Sequence, residues 1–278
     1  MKIGVPTEIK NNEYRVGLTP GSVKALKACN HDIFIQQGAG SAIGFLDSDY
    51  IESGAQILES AAEVFAASEL IVKVKEPMPS ELGYLNSSHT LFTYLHLAGD
   101  PKQAHALIKT GVTGIAYETV TSDSGALPLL APMSAIAGQL SIVVGSYHLL
   151  KQNKGRGTLI GSFGDLDPRV VTVIGAGVAG TEAIQKAIQN NAYVKIIDLS
   201  EKRLNALQAI FGSKNIEYIQ STEEAIADAL SVSDLVIGSV YVVGKQAPKV
   251  VSAEMLKNMT PGTVMVDISI DQGGCFET

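Results

Sequence analysis

The sequence is poor in cysteine and in charged residues. Cys29 and Cys275 are too few for a disulfide framework, and no Cys/His cluster has the spacing of a zinc site, so we expect no metal. Charged residues make up 18% of the chain and apolar residues 46%, which excludes intrinsic disorder. The net charge is −7, which argues against nucleic-acid binding as the main role.

The chain also lacks an apolar signal sequence at its start, Met1–Pro6. Its longest run without a charged residue, Ser124–Leu150, is long enough to cross a bilayer. That run contains Pro128, Pro132 and His148, which favour a buried helix over insertion. We therefore predict a cytoplasmic protein without a membrane contact.

Short apolar runs alternate with helical patterns along most of the 278 residues. This alternation predicts parallel sheets covered by helices on both faces. We predict two α/β domains, residues 1–132 for substrate and catalysis and residues 133–278 for the nucleotide, joined by a long helix at about 133–152. Among the predicted strands are Leu70–Lys75, Thr90–His96 and Val170–Ile174.

Glycine is abundant, with 27 of 278 residues, about a tenth against a usual ~7%. Part of this excess forms a G-x-G-x-x-G pattern at Gly175, Gly177 and Gly180, which follows a predicted strand and precedes a predicted helix. These glycines allow a tight turn, a close approach to a pyrophosphate and close helix–strand packing. The free N–H groups at the helix start are suited to phosphate.

An acid at the end of the next predicted strand indicates the coenzyme. Asp198 lies 18 residues beyond Gly180, where its carboxylate can accept hydrogen bonds from ribose hydroxyls and repel a 2′-phosphate. This favours NAD over NADP, although Arg203, one turn into the next helix, weakens the preference.

Four polar residues are candidates for the chemistry, and three of them lie at or just past the ends of predicted strands. Arg15 lies in a loop before a helix, Lys75 and His96 close two strands of the first domain, and Asp271 follows a strand of the second. Ligands bind at the carboxyl ends of parallel strands, so these side chains could face one cleft. The two cations suit a carboxylate and the imidazole suits proton exchange. Taken singly, each is also compatible with a solvated charge or a structural residue.

The sequence resembles the alanine dehydrogenase family, which is related to the NAD-binding subunit of proton-pumping transhydrogenase. The resemblance rests on segments spread over the whole chain, of which Tyr94–Ala98 and Met133–Gly138 favour alanine dehydrogenase over the transhydrogenases. The other segments are Gly4–Glu8, Glu13–Pro20, Leu70–Pro77, Gly175–Gly180, Asp234–Gly238 and Val266–Thr278.

The resemblance implies a role for individual residues. His96 and Asp271 would be the acid–base pair, and Arg15 and Lys75 would bind the substrate carboxylate and carbonyl oxygen. The cofactor would be NAD, contacted by Ser134, Gly175, Gly177, Val178, Gly180, Asp198, Arg203, Ser221, Val240, Tyr241 and Ile268.

The family's reaction is the reversible oxidative deamination of L-alanine to pyruvate and ammonia, and its members are typically hexamers. We therefore expect small-molecule substrates and a homo-oligomer. Two other hypotheses remain: a catalytically inactive relative that keeps only NAD binding or assembly, and an oxidoreductase acting on another amino or keto acid.

The sequence departs from the family pattern in three places. Gly161–Pro168 replaces a glycine- and valine-rich stretch, and Val240–Gly244 is a modest variant. Relatives also continue past Gln272–Thr278. We therefore expect two Rossmann-like parallel-sheet domains, the nucleotide domain lacking its usual final elements.

Overall fold

The computed structural model describes residues 1–278 and divides into two compact units, Met1–Leu127 and Pro128–Thr278. Each unit contains a wholly parallel sheet with helices. The prediction of two parallel-sheet α/β domains is confirmed. No helix is both long enough and apolar enough for a membrane crossing.

The first unit contains a six-stranded sheet in the order β3-β2-β1-β4-β5-β6. Its core includes aliphatic residues from the strands and helices, together with Tyr50 and Phe65 from the helices. The elements are β1 (Lys2–Val5), α1 (Pro20–Ala28), β2 (Asp32–Gln36), α2 (Asp47–Glu52), β3 (Gln56–Leu58), α3 (Ala61–Ala67), β4 (Leu70–Val72), β5 (Thr90–Thr93), α4 (Pro101–Thr110) and β6 (Thr113–Ala116).

The second unit contains a five-stranded sheet in the order β11-β10-β7-β8-β9. Its central strand β7 is almost completely buried, as expected for a parallel strand covered on both faces. The elements are α5 (Ala131–His148), β7 (Val170–Ile174), α6 (Val178–Gln189), β8 (Tyr193–Asp198), α7 (Glu201–Phe211), β9 (Ile216–Gln220), α8 (Glu223–Val232), β10 (Leu235–Gly238) and β11 (Val264–Asp267).

Helix α5 belongs to the second unit and packs against α6. A Cβ at Gly138 would overlap the carbonyl oxygen of Ala179, so this glycine allows the two helix backbones to approach closely. The helix was predicted to end at about residue 152, but it ends at His148. It ends there because the backbone N–H groups of Gly155 and Gly157 donate to the carbonyls of Leu150 and Leu149.

The opposite face of α5 is apolar and exposed. Its side chains are 45–55% exposed and recur at helical spacing, so they form one stripe. The prediction of a buried helix is therefore correct for one face only. The stripe consists of Ile136, Leu140, Val143, Val144 and Tyr147.

The divergent segment Gly161–Pro168 precedes β7 and lies at the opposite end of that strand from the glycine pattern. The Ser162 N–H donates to the Asn191 carbonyl, just past the C-terminus of α6. Its departure from the family pattern thus falls away from the glycine turn between β7 and α6.

Candidate active site

In the first unit, Lys75 and His96 follow the adjacent parallel strands β4 and β5. Both strands end three residues before the predicted bounds, at Val72 and Thr93. The hydroxyl of Thr93 donates to the Lys75 carbonyl at 2.9 Å, which ties the two segments together. The structure therefore brings these two predicted site residues to the same edge of the sheet.

Two buried glutamates explain why the strands end early. Glu8 accepts hydrogen bonds from the N–H groups of Val74 at 2.6 Å and Lys75 at 3.3 Å. Glu118 accepts from the N–H groups of Leu95 at 3.2 Å and His96 at 2.6 Å. Because these amides donate to a carboxylate, they do not continue the hydrogen-bond ladder between neighbouring strands.

The Glu8 carboxylate also belongs to a buried ionic cluster. The Lys73 ammonium, which is fully buried, lies 3.2 Å from Glu8 and 2.9 Å from Glu81. Burial raises the pKa of Glu8, and the charge of Lys73 opposes that shift. Removing either carboxylate would leave a poorly compensated buried cation, which is costly.

Arg15 is held by its neighbour Glu13. The Arg15 Nε and Nη2 atoms lie 2.8 and 2.6 Å from the two oxygens of the Glu13 carboxylate. Burial opposes ionisation of Glu13, but the hydrogen bonds from Arg15 outweigh it, so the pKa of this carboxyl is lowered. The same hydrogen bonds raise the pKa of Arg15.

The loop that carries Arg15 crosses the end of β4. A Cβ at Gly17 would lie 2.5 Å from the Val72 carbonyl oxygen, so only glycine permits this approach. This approach brings the loop to the carboxyl end of β4, the strand that Lys75 follows. Arg15, Lys75 and His96 thus gather in one region of the first unit.

The backbone of His96 has a φ of +48°, in the left-handed region. Such a conformation costs of the order of 1 kcal/mol in a non-glycine residue and is concentrated at functional sites. The imidazole stacks on the Tyr94 ring, with ring centroids 5.9 Å apart and an angle of 10° between planes.

In the second unit, the glycine pattern forms the turn between β7 and α6. Gly175 has a φ of +91°, and a Cβ there would lie 2.7 Å from the Ser239 carbonyl oxygen. A Cβ at Gly180 would overlap the Gly175 carbonyl oxygen, whereas one at Gly177 would meet nothing within 4 Å. Gly177 therefore borders open space at the start of α6.

That open space fits a phosphate. Helix α6 begins at Val178, which is 48% exposed, and its N-cap Gly177 makes no side-chain capping bond. The first turn of a helix presents unsatisfied N–H groups and a positive dipole end. Ser134 lies one turn before Gly138 on α5, the helix that packs against this part of α6.

Asp198, at the end of β8, lies beside the glycine turn. One carboxylate oxygen accepts from the Ala176 N–H at 2.7 Å and the other from the Ser200 N–H at 2.8 Å. Each oxygen has a second lone pair that can accept a ribose hydroxyl. Arg203 donates to the Ala176 carbonyl at 2.8 Å and to the Thr181 hydroxyl at 2.6 Å.

The remaining predicted residues lie along the same carboxyl edge of this sheet. Ser221 follows β9 and donates its N–H to the Asp198 carbonyl at 2.9 Å. Val240 and Tyr241 follow β10, and Ile268 follows β11, where its N–H donates to Gly238. The glycine turn at β7 thus lies between Ile268 on one side and Asp198 on the other.

Asp271 lies in a turn that Asp267 organises. The Asp267 carboxylate accepts hydrogen bonds from the N–H groups of Ser269 at 2.8 Å and Cys275 at 2.7 Å, on either side of Asp271. The Ser269 hydroxyl donates to the Val240 carbonyl at 2.7 Å. Asp271 itself is exposed.

Glu8, Glu118 and Asp267 were not predicted as site residues. Each is an acid at or near the end of an apolar segment, and only that feature could have indicated them in the sequence. Their partners lie 66, 22 and 8 residues away, so the pairing follows from the fold.

Comparisons with known proteins agree with this architecture. The family model "Alanine dehydrogenase/PNT, N-terminal domain" matches residues 4–137, and "Alanine dehydrogenase/PNT, C-terminal domain" matches residues 141–278. The chain is 46% identical to the alanine dehydrogenase of Methanococcus maripaludis and 47% identical to that of Mycolicibacterium smegmatis. Both matches cover 100% of this chain and 74% of the relative.

Two solved structures are also similar. An L-alanine dehydrogenase superposes with a TM-score of 0.89 at 45% identity, over 100% of this chain and 76% of the other. The transhydrogenase from Sinorhizobium meliloti gives a TM-score of 0.80 at 25% identity, over 100% of this chain and 81% of the other. The higher identity to the dehydrogenases agrees with the preference drawn from the sequence.

These family models together span nearly the whole chain, and the relatives are named as dehydrogenases. Such enzymes are oxidoreductases that use a nicotinamide dinucleotide, and the open turn at Gly177 suits its pyrophosphate. The chain belongs to the alanine dehydrogenase/PNT family.

Proposed function

We propose that this chain catalyses the reversible, NAD-dependent oxidative deamination of L-alanine to pyruvate and ammonia. The observation that carries the proposal is the placement of Lys75 and His96 just past the ends of adjacent parallel strands, with the loop that carries Arg15 crossing the end of β4. This set of groups suits a small molecule that carries a carboxylate and exchanges protons. Alanine dehydrogenases at 46–47% identity support alanine as that substrate.

Arg15 and Lys75 bind the substrate in this proposal. The Arg15 guanidinium stays charged, since its pKa is raised by the hydrogen bonds that it donates to Glu13. It pairs with the substrate carboxylate, for which guanidinium geometry is well suited. The Lys75 ammonium stabilises the oxygen that becomes the pyruvate carbonyl.

His96 exchanges protons with the substrate in this proposal. It takes a proton from the alanine amine and releases it to solvent, since an imidazole accepts and releases protons near neutral pH. It later takes a proton from the water that adds to the iminium carbon and returns it to the nitrogen that leaves as ammonia. Asp271 stabilises the positive charge that results on the imidazole or on the substrate nitrogen. The dinucleotide, when bound, accepts the hydride from Cα of alanine.

The second unit would hold the dinucleotide along the carboxyl edge of its sheet. The N–H groups at Gly177 and Val178 would bind the pyrophosphate, with Gly175 and Gly180 shaping the turn. Asp198, Arg203 and Ser221 surround the adenosine half. Ser134, Val240, Tyr241 and Ile268 complete the contacts toward the nicotinamide.

The contacts of Arg203 support NAD over NADP. Its Nε and Nη2 atoms donate to the Ala176 carbonyl and the Thr181 hydroxyl, which are groups of the chain itself. Asp198 is tied to the same turn and places a negative charge where a 2′-phosphate would lie. The arginine therefore braces the turn in this proposal, and the aspartate selects the coenzyme.

The exposed apolar stripe of α5 supports self-association. Five side chains of one helix face, Ile136, Leu140, Val143, Val144 and Tyr147, are each about half exposed. Contiguous apolar surface of this kind is typical of protein–protein interfaces. We propose that the active species is a homo-oligomer.

The test is NADH oxidation by the purified chain with pyruvate and ammonium. We expect turnover with pyruvate, and we expect His96→Ala to reduce it by about 10²- to 10⁴-fold while the Kd for NAD changes only a few-fold. NAD binding without turnover would contradict the proposed activity. Turnover with another keto acid but not with pyruvate would contradict the proposed substrate.

A further inference from the structure

Glu118 is a buried acid at the edge of the first sheet and makes no part of the proposed substrate contacts. Its side chain follows β6 and is only 5% exposed. One carboxylate oxygen accepts from the His96 N–H at 2.6 Å and the Leu95 N–H at 3.2 Å, and the other accepts from the Leu95 N–H at 3.2 Å. Two successive amides that follow the neighbouring strand β5 thus donate to one buried carboxylate.

This convergence coincides with an unusual backbone conformation. Strands β5 and β6 are paired in parallel up to Thr93 and Ala116. Just beyond, His96 takes a φ of +48°, which turns the chain out of the strand direction. Hydrogen bonds from N–H to an ionised carboxylate are stronger than those between neutral groups, so Glu118 can stabilise a conformation that histidine seldom adopts.

A chain of aromatic rings links the same segment to the imidazole. Tyr117, the residue before Glu118, packs edge-to-face on Tyr94 with ring centroids 4.9 Å apart. Tyr94 in turn stacks on the His96 ring. The turn that carries Glu118 therefore contacts the His96 backbone N–H directly and reaches the His96 ring indirectly, through Tyr94.

We infer that Glu118 is the positioning residue of His96: it holds the histidine backbone in its left-handed conformation and thereby aims the imidazole at the substrate. This inference rests on the proposed role of His96 in proton exchange. It assigns to Glu118 an effect on turnover but none on coenzyme affinity, because the dinucleotide turn belongs to the other unit.

The first test is the substitution Glu118→Gln, which keeps the shape of the side chain. Glutamine has one acceptor oxygen, and its NH₂ group would face a backbone N–H in place of the second oxygen. A misplacement of about 1 Å costs about a hundredfold in rate, so we expect kcat to fall about a hundredfold. The KM for alanine and the Kd for NAD should change by no more than a few-fold.

The matched control is Glu63→Gln. The Glu63 carboxylate also accepts from two successive amides, Glu59 at 2.9 Å and Ser60 at 3.2 Å, but at the start of α3. We expect its kcat to equal that of the wild type. An equal loss of kcat in both variants would contradict the inference.

A double-mutant cycle separates positioning from general structural support. A residue that acts through His96 has nothing left to position once the imidazole is removed. In the His96→Ala background, Glu118→Gln should therefore leave the residual turnover unchanged within a few-fold. A further hundredfold loss in that background would overturn the inference.

Two further measurements keep the test decisive. If Glu118→Gln does not fold, Glu118→Asp, which keeps the charge but is one methylene shorter, should fold and show an intermediate loss of kcat with NAD affinity retained. The inference would be overturned if Glu118→Asp had the kcat of the wild type, or if Glu118→Gln were soluble and had the kcat of the wild type.

The failure of the inference can be distinguished from the failure of the proposed function. If His96→Ala keeps wild-type turnover, the proposed role of His96 fails, and the inference about Glu118 fails with it. If His96→Ala is impaired but Glu118→Gln is not, only the inference fails.

Discussion

The Asp198 carboxylate accepts a hydrogen bond from the Ala176 N–H at 2.7 Å, so the acid that ends β8 is joined to the glycine turn that follows β7. The residue proposed to select the coenzyme is thus also part of the turn proposed to bind its phosphates. The two roles can be separated by comparing affinity for two coenzymes.

Asp198→Ala should weaken NAD binding and reduce the preference for NAD over NADP. Hydrogen bonds to a charged group are worth about 1.5–3 kcal/mol, so the Kd for NAD should rise about tenfold or more. The repulsion of a 2′-phosphate also disappears, so NADP should lose less affinity than NAD. Calorimetric titration with both coenzymes checks this, with Asp228→Ala, an exposed position on α8, as the control. An unchanged ratio of the two Kd values would contradict the assigned role.

Two glycines of the same turn should respond differently to substitution. Gly180→Ala places a methyl group onto the Gly175 carbonyl and should destabilise the second unit by at least about 1 kcal/mol. Gly177→Ala meets no protein atom within 4 Å, so it should keep stability and lose NAD affinity. Thermal unfolding together with NAD titration distinguishes the two. Normal NAD binding by Gly177→Ala would show that the phosphates lie elsewhere.

Much of this fold follows from local sequence. The sequence predicts a helix over Pro20–Ala28, and α1 has these bounds because Thr19 caps it and Pro20 occupies its first position. Strand β7 also keeps its predicted bounds, since a run of buried aliphatic residues is typical of a central parallel strand. Helix α2 was not predicted, and it has only six residues.

The early ends of β4 and β5 could not be predicted in the same way. They depend on Glu8 and Glu118, which reach these strands from 66 and 22 residues away. Local patterns carry no information about such pairs. The predicted residues Lys75 and His96 lie at one sheet edge, whereas the acids that fix their backbones became visible only in the folded chain.

The two cysteines should differ in reactivity. Burial raises the pKa of Cys275 to about 12, and the nearby charge of Asp267 adds to this effect. Because the thiolate is the reactive form, Cys275 stays unreactive at pH 8 and should gain reactivity only as the pH approaches 12. Cys29 is exposed.

Titration with dithiobis(nitrobenzoate) at pH 8 should therefore detect one thiol in the native protein and two after denaturation. Cys29→Ser should abolish the native reaction and leave the second thiol unchanged. Rapid reaction of both thiols in the native protein would contradict the described packing of Cys275.

The apolar stripe of α5 should respond to a charge. Leu140→Asp places a carboxylate in the middle of the stripe, and burying an unpaired charge is costly, so the mass measured by light scattering should fall toward that of one chain. Ile108→Asp, at a 74% exposed position on α4, is the control and should keep the wild-type mass. The proposed interface would be contradicted if the wild-type protein had the mass of a single chain, or if Leu140→Asp had the same mass as the wild type.

The central claim is that this chain moves a hydride from Cα of L-alanine to NAD. The most direct measurement is mass spectrometry of the reduced coenzyme formed from L-alanine that carries deuterium at Cα. We expect one deuterium to appear in the reduced coenzyme, and pyruvate and ammonium to form in equal amounts. Reduced coenzyme without deuterium, or bound NAD that alanine never reduces, would contradict it.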